Sequence, residues 1–236
     1  MYRFTLERDE LADRLGGGLP EGSLIVIEGE YGAGKSILLQ RFLYGLLKND
    51  VSVTLVSTEL TTLHFIEQMY SLDYPVEESI LEHKLLFLPV YPVLGFRGRK
   101  DDMLERLLAA KKMYSFDVIA IDAFSSLLKS YLKAVGDRVD STSKLEEALY
   151  MFKLLNARGR TIILTLEPAD LQEEMASMLK AAADIYLQVR LEVVGNNVSR
   201  SLLVKRFGRA EKTVGDVVPF RVEPKVGLVV EIKSVS

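Results

Sequence analysis

One stretch of eight residues has the side-chain types and spacing that bind phosphate. Gly29, Glu30, Tyr31, Gly32, Ala33, Gly34, Lys35 and Ser36 match the P-loop pattern G-x-x-x-x-G-K-[ST]. Glycines let backbone N–H groups curl around phosphate oxygens, Lys35 would reach the β- and γ-phosphates, and the Ser36 hydroxyl would bind Mg²⁺. We predict that residues 29–37, including Ile37, bind a nucleotide. The alternative is a glycine-rich turn that matches by chance.

The flanking residues predict the elements that must hold this loop in place. Residues 23–28 have the continuous apolar character of a buried strand. After the loop, apolar residues follow at helical spacing, at Ile37, Leu38, Leu39, Phe42, Leu43, Leu46 and Leu47. A helix that begins at the loop adds the positive end of its dipole to the phosphate site.

Asp122 is the predicted metal-holding acid. It ends the apolar run 118–122, which is a Walker B pattern. A P-loop protein needs such an acid in the Mg²⁺ shell, so we expect Asp122 to act with Ser36. We also expect its strand to lie beside the P-loop strand. The alternative role for Asp122 is to cap the helix that follows.

Glu59 is the predicted group that orients an attacking water, because it lies at the end of a second apolar strand, two residues after the run 51–57. The alternative is a helix-capping box, for which Ser57, Thr58, Thr61 and Thr62 supply hydroxyls. Glu167 ends a later strand and could sense the γ-phosphate, although its position in a loop explains it equally well.

A basic cluster near the end of the late strands is a candidate for completing a neighbouring subunit's site. Lys205, Arg206 and Arg209 are the residues concerned. In a ring, such cations can reach the nucleotide of the next subunit as a finger in trans. The alternative is a solvated basic end of a hairpin.

Strands and helices alternate along most of the chain. The predicted strands are 23–28, 51–57, 85–89, 116–122 and 161–166, and helices are predicted at 62–70, 100–113 and 141–157 besides the one after the P-loop. This order is typical of a parallel sheet covered by helices on both faces. Alternating apolar residues at 185–193, a turn, a strand at 201–207 and a hairpin at 220–232 predict antiparallel strands at the end. We predict one α/β domain over residues 1–236.

Composition and charge argue against several classes of protein. The chain has 30 Lys and Arg against 33 Asp and Glu, so the basic surface of a nucleic-acid-binding protein is not expected. It has no cysteine, which excludes disulfides and fits a reducing cytoplasm. The longest charge-free stretch, 85–96, is shorter than the ~20 apolar residues of a membrane span, so membrane association would need a partner. Residues 91–96 form either an exposed docking loop or a buried segment.

Several motifs are similar to those of a known class. The glycine-rich cluster at 15–23, Glu59 after the second strand and Asp122 after a later strand resemble the RecA/KaiC class of P-loop ATPases. Within that class, residues 27–36, 57–62 and 162–168 resemble the accessory ATP-binding family of the archaellum, the archaeal flagellum, known as FlaH or ArlH. The stretch S-T-E-L-T-T at 57–62 is the specific part, since very many proteins share the P-loop.

This resemblance implies a cytoplasmic protein that binds Mg-ATP, forms homo-oligomeric rings and works in archaeal motility. The implied partners are the motor/secretion ATPase (FlaI/ArlI) and, directly or through it, the membrane platform protein, so that the protein is peripheral to the membrane motor complex.

The chain also departs from the KaiC pattern, in which two adjacent glutamates follow the second strand. Here the pair is Glu59 and Leu60, and Phe207 stands where Arg or Lys is common. Both departures imply ATP binding with slow or absent turnover. Two alternatives stay open: a RecA-like DNA-binding recombination mediator, and an active KaiC-like regulatory ATPase or autokinase with Ser57 or Thr58 as the phosphate acceptor.

Overall fold

The fold is a single mixed sheet with helices on both faces, described by a computed structural model for residues 1–7, 9–90, 103–135, 142–194 and 197–231. The strands are β1 (Leu24–Gly29), β2 (Val53–Ser57), β3 (Leu85–Pro89), β4 (Val118–Asp122), β5 (Thr161–Leu166), β6 (Ile185–Val194), β7 (Asn197–Phe207), β8 (Val217–Glu223) and β9 (Gly227–Val230). The helices are α1 (Leu11–Arg14), α2 (Lys35–Lys48), α3 (Thr62–Ser71), α4 (Glu77–Leu81), α5 (Met103–Ala109), α6 (Phe124–Val135), α7 (Ser143–Ala157) and α8 (Glu173–Ala182). The predicted docking loop at 91–96 lies outside the described residues.

The strand order is β3-β2-β4-β5-β1-β6-β7-β8-β9. The strands from β3 to β6 pair in parallel, and those from β6 to β9 pair antiparallel. This confirms the predicted fold class, a parallel core that ends in antiparallel strands. One expectation was wrong: the strand that carries Asp122 is not beside the P-loop strand, because β5 lies between β4 and β1. The acid therefore has to reach the P-loop across one intervening strand.

Two apolar layers hold the parallel strands between the helices. On one face, Leu39 and Phe42 of α2 pack in one core with Ile25 and Ile27 of β1. On the other face, α7 and α8 pack against β1 in a second core that includes Leu24 and Val26. All six residues of β1 are buried, since both of its faces are covered. The P-loop that follows β1 is thus anchored at one end by a fully buried strand and at the other by α2.

The segment before α1 is held against α2 by a buried ion pair. Arg41 Nε and Nη2 donate to the two carboxylate oxygens of Asp9 at 2.5 and 2.6 Å, and Nη1 donates to the Phe4 carbonyl at 3.0 Å. The Arg41 side chain is fully buried, and only 2% of the Asp9 side chain is exposed. The Phe4 ring packs edge-on against Phe42, with centroids 5.1 Å apart.

One predicted helix ends earlier than expected, and its predicted start at 100–102 lies outside the described residues. The apolar spacing predicts a helix over 100–113, whereas α5 covers Met103–Ala109 and a 3₁₀ turn covers Lys111–Ser115. Ala110 lies between them with φ −78° and ψ 77°, outside the helical region. The break turns the chain so that Met113 packs inside the second core before β4 begins.

Candidate functional site

A cleft opens where the parallel strands β1, β2, β4 and β5 end. It measures about 240 Å³, and its lining includes the predicted Tyr31, Gly32, Gly34, Lys35, Ser36, Ile37, Glu59 and Asp122. In parallel sheets, ligands bind at this carboxyl edge. The structure therefore brings the phosphate-binding, metal-holding and water-orienting candidates to one place.

The phosphate loop adopts a backbone that needs glycine. Gly32 and Gly34 have φ of 75° and 105°, in the left-handed region that other residues rarely enter. The Gly34 carbonyl accepts from Leu38 N at 3.0 Å and starts α2 directly after the loop. Between these glycines, Ala33 is buried, whereas Glu30 and Tyr31 are exposed. The loop thus has the concave form that presents N–H groups to an anion.

The Lys35 ammonium group sits at the mouth of this loop. Its Nζ donates to the carbonyls of Gly29 and Glu30 at 2.6 and 2.8 Å, and lies 3.2 Å from Glu167 Oε2. A phosphate oxygen can replace either kind of acceptor, because an ammonium group has three donors. Lys35 is therefore placed to exchange its hydrogen bonds with protein acceptors for hydrogen bonds with a ligand. Glu167 is within reach of the same ligand.

Ser36 and Asp122 meet at a buried corner beneath the loop. Ser36 Oγ donates to Asp122 Oδ1 at 3.2 Å, and Thr165 Oγ1 donates to the same oxygen at 2.6 Å. Thr165 Oγ1 also accepts from Ala123 N at 2.7 Å. Thr165 belongs to β5, the intervening strand, so it bridges the gap that the strand order creates. Ala123 has a left-handed φ of 54°, which turns the chain sharply after Asp122.

The electrostatics of this corner fit a divalent cation. Burial raises the pKa of the Asp122 carboxyl above its ordinary value, while hydrogen bonds from Thr165 and Ser36 lower it. A buried carboxylate is destabilised unless a cation compensates it. Carboxylate and hydroxyl oxygens are hard ligands of the kind Mg²⁺ takes beside nucleotide phosphates. Ser36 and Asp122 are the residues that would hold this ion.

Glu59 lines the cleft, and neighbouring hydroxyls bind the backbone N–H groups at the start of α3. Ser57 Oγ accepts from Leu60 N at 3.1 Å, and Thr61 Oγ1 caps α3 by accepting from His64 N at 3.2 Å. Partial burial raises the pKa of the Glu59 carboxyl, Asp122 raises it further, and Lys35 lowers it. Hydroxyls of Ser57 and Thr61 thus satisfy these backbone N–H groups, and the water-orienting role of Glu59 stays a prediction.

Leu60, the residue after Glu59, points away from the cleft. Leu60 packs against the core on the α2 face and is not part of the cleft lining. At the position where the resemblance to KaiC-type ATPases implies a second glutamate, this chain has an apolar residue that packs against the core. Thr58, on the other side of Glu59, has a buried Oγ1 with no hydrogen-bond partner among the described residues.

The basic cluster of Lys205, Arg206 and Arg209 lies at the opposite end of the strands from the P-loop. Phe207 pairs with Ile185, which pairs with Ile25, so the cluster is level with the start of β1, about 13 Å along the strand from Gly29. Arg206 Nη1 donates to three carbonyls at the end of α8, and Arg209 donates to the carbonyls of Glu21 and Gly22. Lys205 is exposed. None of the three reaches the cleft of its own chain, and the finger role in trans stays a prediction.

Comparisons with known proteins agree with this geometry. A family model described as "ATPase: KaiC" matches residues 9–234. The archaeal flagellar ATP-binding protein FlaH of Methanocaldococcus jannaschii is 38% identical over 236 residues, which are 100% of this chain and 98% of that protein. The FlaH of Methanococcus voltae is 33% identical over 99% of this chain and 98% of its own length.

The chain belongs to the KaiC family of ATPases, and within it to the FlaH proteins. The resemblance drawn from the glycine-rich cluster and the S-T-E-L-T-T stretch is thereby confirmed. The crystal structure of flagellar accessory protein FlaH from M. jannaschii superposes with a TM-score of 0.90 at 37% identity, covering 98% of this chain and 99% of that one. Membership of this ATPase family implies that the cleft binds a nucleotide. Within the described ranges, every helix is too short or too polar to span a membrane.

Proposed function

We propose that this protein is an ATP-binding component of the archaeal flagellar motor, in which bound Mg-ATP is a signal for assembly. The observation that carries the proposal is the meeting of Lys35 Nζ with the Ser36–Asp122 corner in one cleft. The names of the FlaH relatives, which describe archaeal flagellar ATP-binding proteins, supply the biological setting.

Each residue of the cleft has a separate task in this proposal. Backbone N–H groups of residues 32–36 bind the phosphates, and Lys35 leaves the carbonyls of Gly29 and Glu30 to meet the β- and γ-oxygens. Ser36 and Asp122 hold the metal from the side of β4 and β5. The Mg²⁺ ion, when bound, neutralises charge on the β- and γ-phosphates.

Slow or absent hydrolysis follows from the acids present. Glu59 alone faces the cleft from the end of β2, since Leu60 packs into the core. A single carboxylate can orient a water, but the KaiC pattern has two in this position. We infer that the ATP-bound state is long-lived, which suits a signal better than a catalyst.

Assembly into a ring would give the basic cluster a function. A heterologous interface joins different surfaces of successive subunits, so the surface at one end of the strands can meet the surface at the other end in the next subunit. The side chains of Lys205, Arg206 and Arg209, level with the start of β1, would then approach the nucleotide at the carboxyl ends of the neighbour's strands. Arg206 and Arg209 would exchange backbone carbonyls for phosphate oxygens, which form stronger charge-assisted hydrogen bonds. These contacts exist only in the assembled state and supply the differential affinity that a ligand needs to shift an equilibrium.

The proposed partners are the motor/secretion ATPase and, directly or through it, the membrane platform protein, at the cytoplasmic side of the membrane. The test is a pull-down of the motor ATPase with the purified full chain, in the presence of Mg-ATP, Mg-ADP or no nucleotide. We expect capture to depend on Mg-ATP in the wild type and to lose this dependence in Lys35→Ala. Equal capture in all three conditions would remove the signalling role.

A second candidate function is autophosphorylation, favoured by the unpartnered hydroxyl of Thr58. Thr58 adjoins Glu59, which lines the cleft. The γ-phosphoryl group could therefore pass from ATP to Thr58 Oγ1, with ADP as the leaving group and Glu59 accepting the hydroxyl proton. Mass spectrometry after incubation with Mg-ATP tests this directly. Absence of added phosphate on both Ser57 and Thr58 would exclude these acceptors.

A further inference from the structure

Arg200 lies against the phosphate loop, on the side opposite Ser36 and Asp122. It belongs to β7 and pairs with Leu191 of β6 and Phe220 of β8. A Cβ atom built on Gly34 would be 3.4 Å from Arg200 Cδ, 3.6 Å from Arg200 Nε and 3.7 Å from the Phe220 ring. The absence of a side chain at Gly34 thus lets a cationic side chain from a strand 166 residues later in the sequence contact the P-loop.

The register of the sheet explains this placement. Gly29, the last residue of β1, pairs with Val189, which pairs with Leu202. Arg200 is two residues beyond Leu202, in the direction of the P-loop, and on the same face of β7. Leu202 is buried in the core that α2 covers. Arg200 therefore extends past the end of the P-loop strand on the face where the loop begins its helix.

The order of strands assigns Arg200 to one end of a bound nucleotide. The corner of Ser36, Asp122 and Thr165 is formed with β4 and β5, on one side of β1, whereas β7 lies on the other side. A nucleotide whose γ-phosphate and metal meet Asp122 extends its nucleoside end away from that corner. The α-phosphate is then the anionic group on the side of Arg200.

The hydrogen-bonding state of Arg200 Nε indicates that this donor is available to a ligand. Its Nε is buried, yet has no partner among the described residues. Other arginines of the chain hydrogen-bond internally: Arg190 to Gln188, Arg206 to backbone carbonyls and Arg221 to Glu223. Burying a charged donor without an acceptor is unfavourable, so an acceptor at this position would be strongly bound.

We propose that Arg200 binds the α-phosphate of the nucleotide held by its own chain. The inference rests on the proposed nucleotide binding and adds a cation that the P-loop motif does not contain. A guanidinium group can donate to two oxygens of one phosphate, which also orients the nucleoside. Because ATP and ADP both carry the α-phosphate, Arg200 should stabilise both nucleotides to the same degree, unlike a group that contacts the γ-phosphate.

The test is equilibrium titration of the purified full chain with ATP, ADP and GTP in the presence of Mg²⁺, for wild type, Arg200→Met and Arg200→Lys. Methionine keeps an unbranched chain against Gly34 and removes the charge. We expect Arg200→Met to weaken all three nucleotides by the same factor, about tenfold or more, and Arg200→Lys to recover part of the loss. Arg190→Met, on the exposed side of the neighbouring strand, is the matched control and should bind as the wild type does.

Several results would overturn the assignment. Unchanged affinity in Arg200→Met would mean that Arg200 only packs against the loop. A loss of affinity for ATP alone would mean that Arg200 contacts the γ-phosphate. A changed ratio of the ATP and GTP affinities would mean that it contacts the base. If Arg200→Met does not fold, Arg200→Gln decides by the same criteria. A wild-type chain that binds no nucleotide would refute the proposed function itself, whereas normal wild-type binding with a neutral Arg200→Met refutes only this inference.

Discussion

Helix α2 carries two ion pairs that differ in how completely they are closed. Arg41 and Asp9 form a two-point contact with fully buried partners, and the remaining Arg41 donor is taken by the Phe4 carbonyl. Lys35 and Glu167 touch at a single point, 3.2 Å apart, with 13% and 9% of their side chains exposed. The Lys35 ammonium group also donates to two carbonyls of the phosphate loop itself.

The difference separates a contact that serves the fold from one that a ligand replaces. A closed, buried pair cannot exchange partners without exposing a charge to an apolar interior, so Arg41 fixes the N-terminal segment permanently. The Lys35 pair faces an open cleft, and phosphate oxygens can take the place of its present acceptors. Six residues apart on one helix, the two cations should therefore respond in opposite ways to substitution.

The largest effect on stability is expected for Arg41→Ala. It leaves Asp9 buried without its cation, and breaking such a pair costs about 3–5 kcal/mol in the free energy of unfolding. Arg14→Ala is the control, because its contact with Glu10 is exposed and 3.9 Å long, so that we expect a change below about 1 kcal/mol. Urea denaturation measures both. A loss below 1 kcal/mol in Arg41→Ala would mean that the buried pair does not hold the N-terminal segment.

Lys35→Ala should show the opposite behaviour. We expect nucleotide affinity to fall by roughly 100-fold or more, about 2.7 kcal/mol, because the β- and γ-phosphates lose their cation. The melting temperature without nucleotide should fall less than in Arg41→Ala, since Lys35 touches Glu167 at a single point and the pair borders an open cleft. Titration with a fluorescent ATP analogue checks the first expectation, with Lys48→Ala at the far end of α2 as control. Wild-type affinity in Lys35→Ala would sink the P-loop assignment.

Turnover should be very slow, well below the roughly 1–100 s⁻¹ of efficient phosphoryl-transfer enzymes. The reason is structural: Leu60 packs against the core, and only Glu59 faces the cleft from the end of β2. Phosphate release by the purified protein measures it. Release at 1–100 s⁻¹ that disappears in Asp122→Asn would contradict this expectation.

Any residual turnover should decline at a higher pH than an ordinary glutamate would dictate. Burial and the neighbouring Asp122 raise the pKa of Glu59, and orienting water requires its ionised form. Activity is therefore present above the raised pKa and is lost as pH falls through it, above the roughly 4.3 of a free glutamate. A pH–rate profile tests this, and Glu59→Gln should remove the acidic limb. An unchanged profile in Glu59→Gln would assign the limb to another group.

Much of the fold could be predicted from the sequence because its signals are local. The P-loop pattern dictates a strand, a glycine-rich turn and a helix, and the observed β1, loop and α2 follow it within one residue at the strand ends. The order of strands is not local: β5 enters between β4 and β1, although it follows β4 by almost forty residues. Helix α6 was not predicted, although Phe124, Leu128 and Tyr131 have helical spacing and are buried.

The predicted site lacked two residues for different reasons. Thr165 stands in an apolar strand where a β-branched residue is ordinary, so nothing marks its hydroxyl as a partner of Asp122. Arg200 lies far from the P-loop in sequence, and only the pairing of β1, β6 and β7 brings it to Gly34. The sheet register also placed the Lys205–Arg209 cluster at the edge away from its own cleft, which sequence position could not indicate.

The molar mass of the purified protein, measured by light scattering without nucleotide and with Mg-ADP or Mg-ATP, decides whether ATP is the assembly signal. We expect a larger assembly only with Mg-ATP in the wild type. We expect none in Lys35→Ala and a weakened one in the triple variant Lys205→Ala, Arg206→Ala, Arg209→Ala. A shift from mostly monomer to mostly ring needs a few kcal/mol, which about two charge-assisted contacts provide. A mass independent of nucleotide would contradict ATP as the assembly signal, and wild-type assembly in the triple variant would contradict completion of the site in trans.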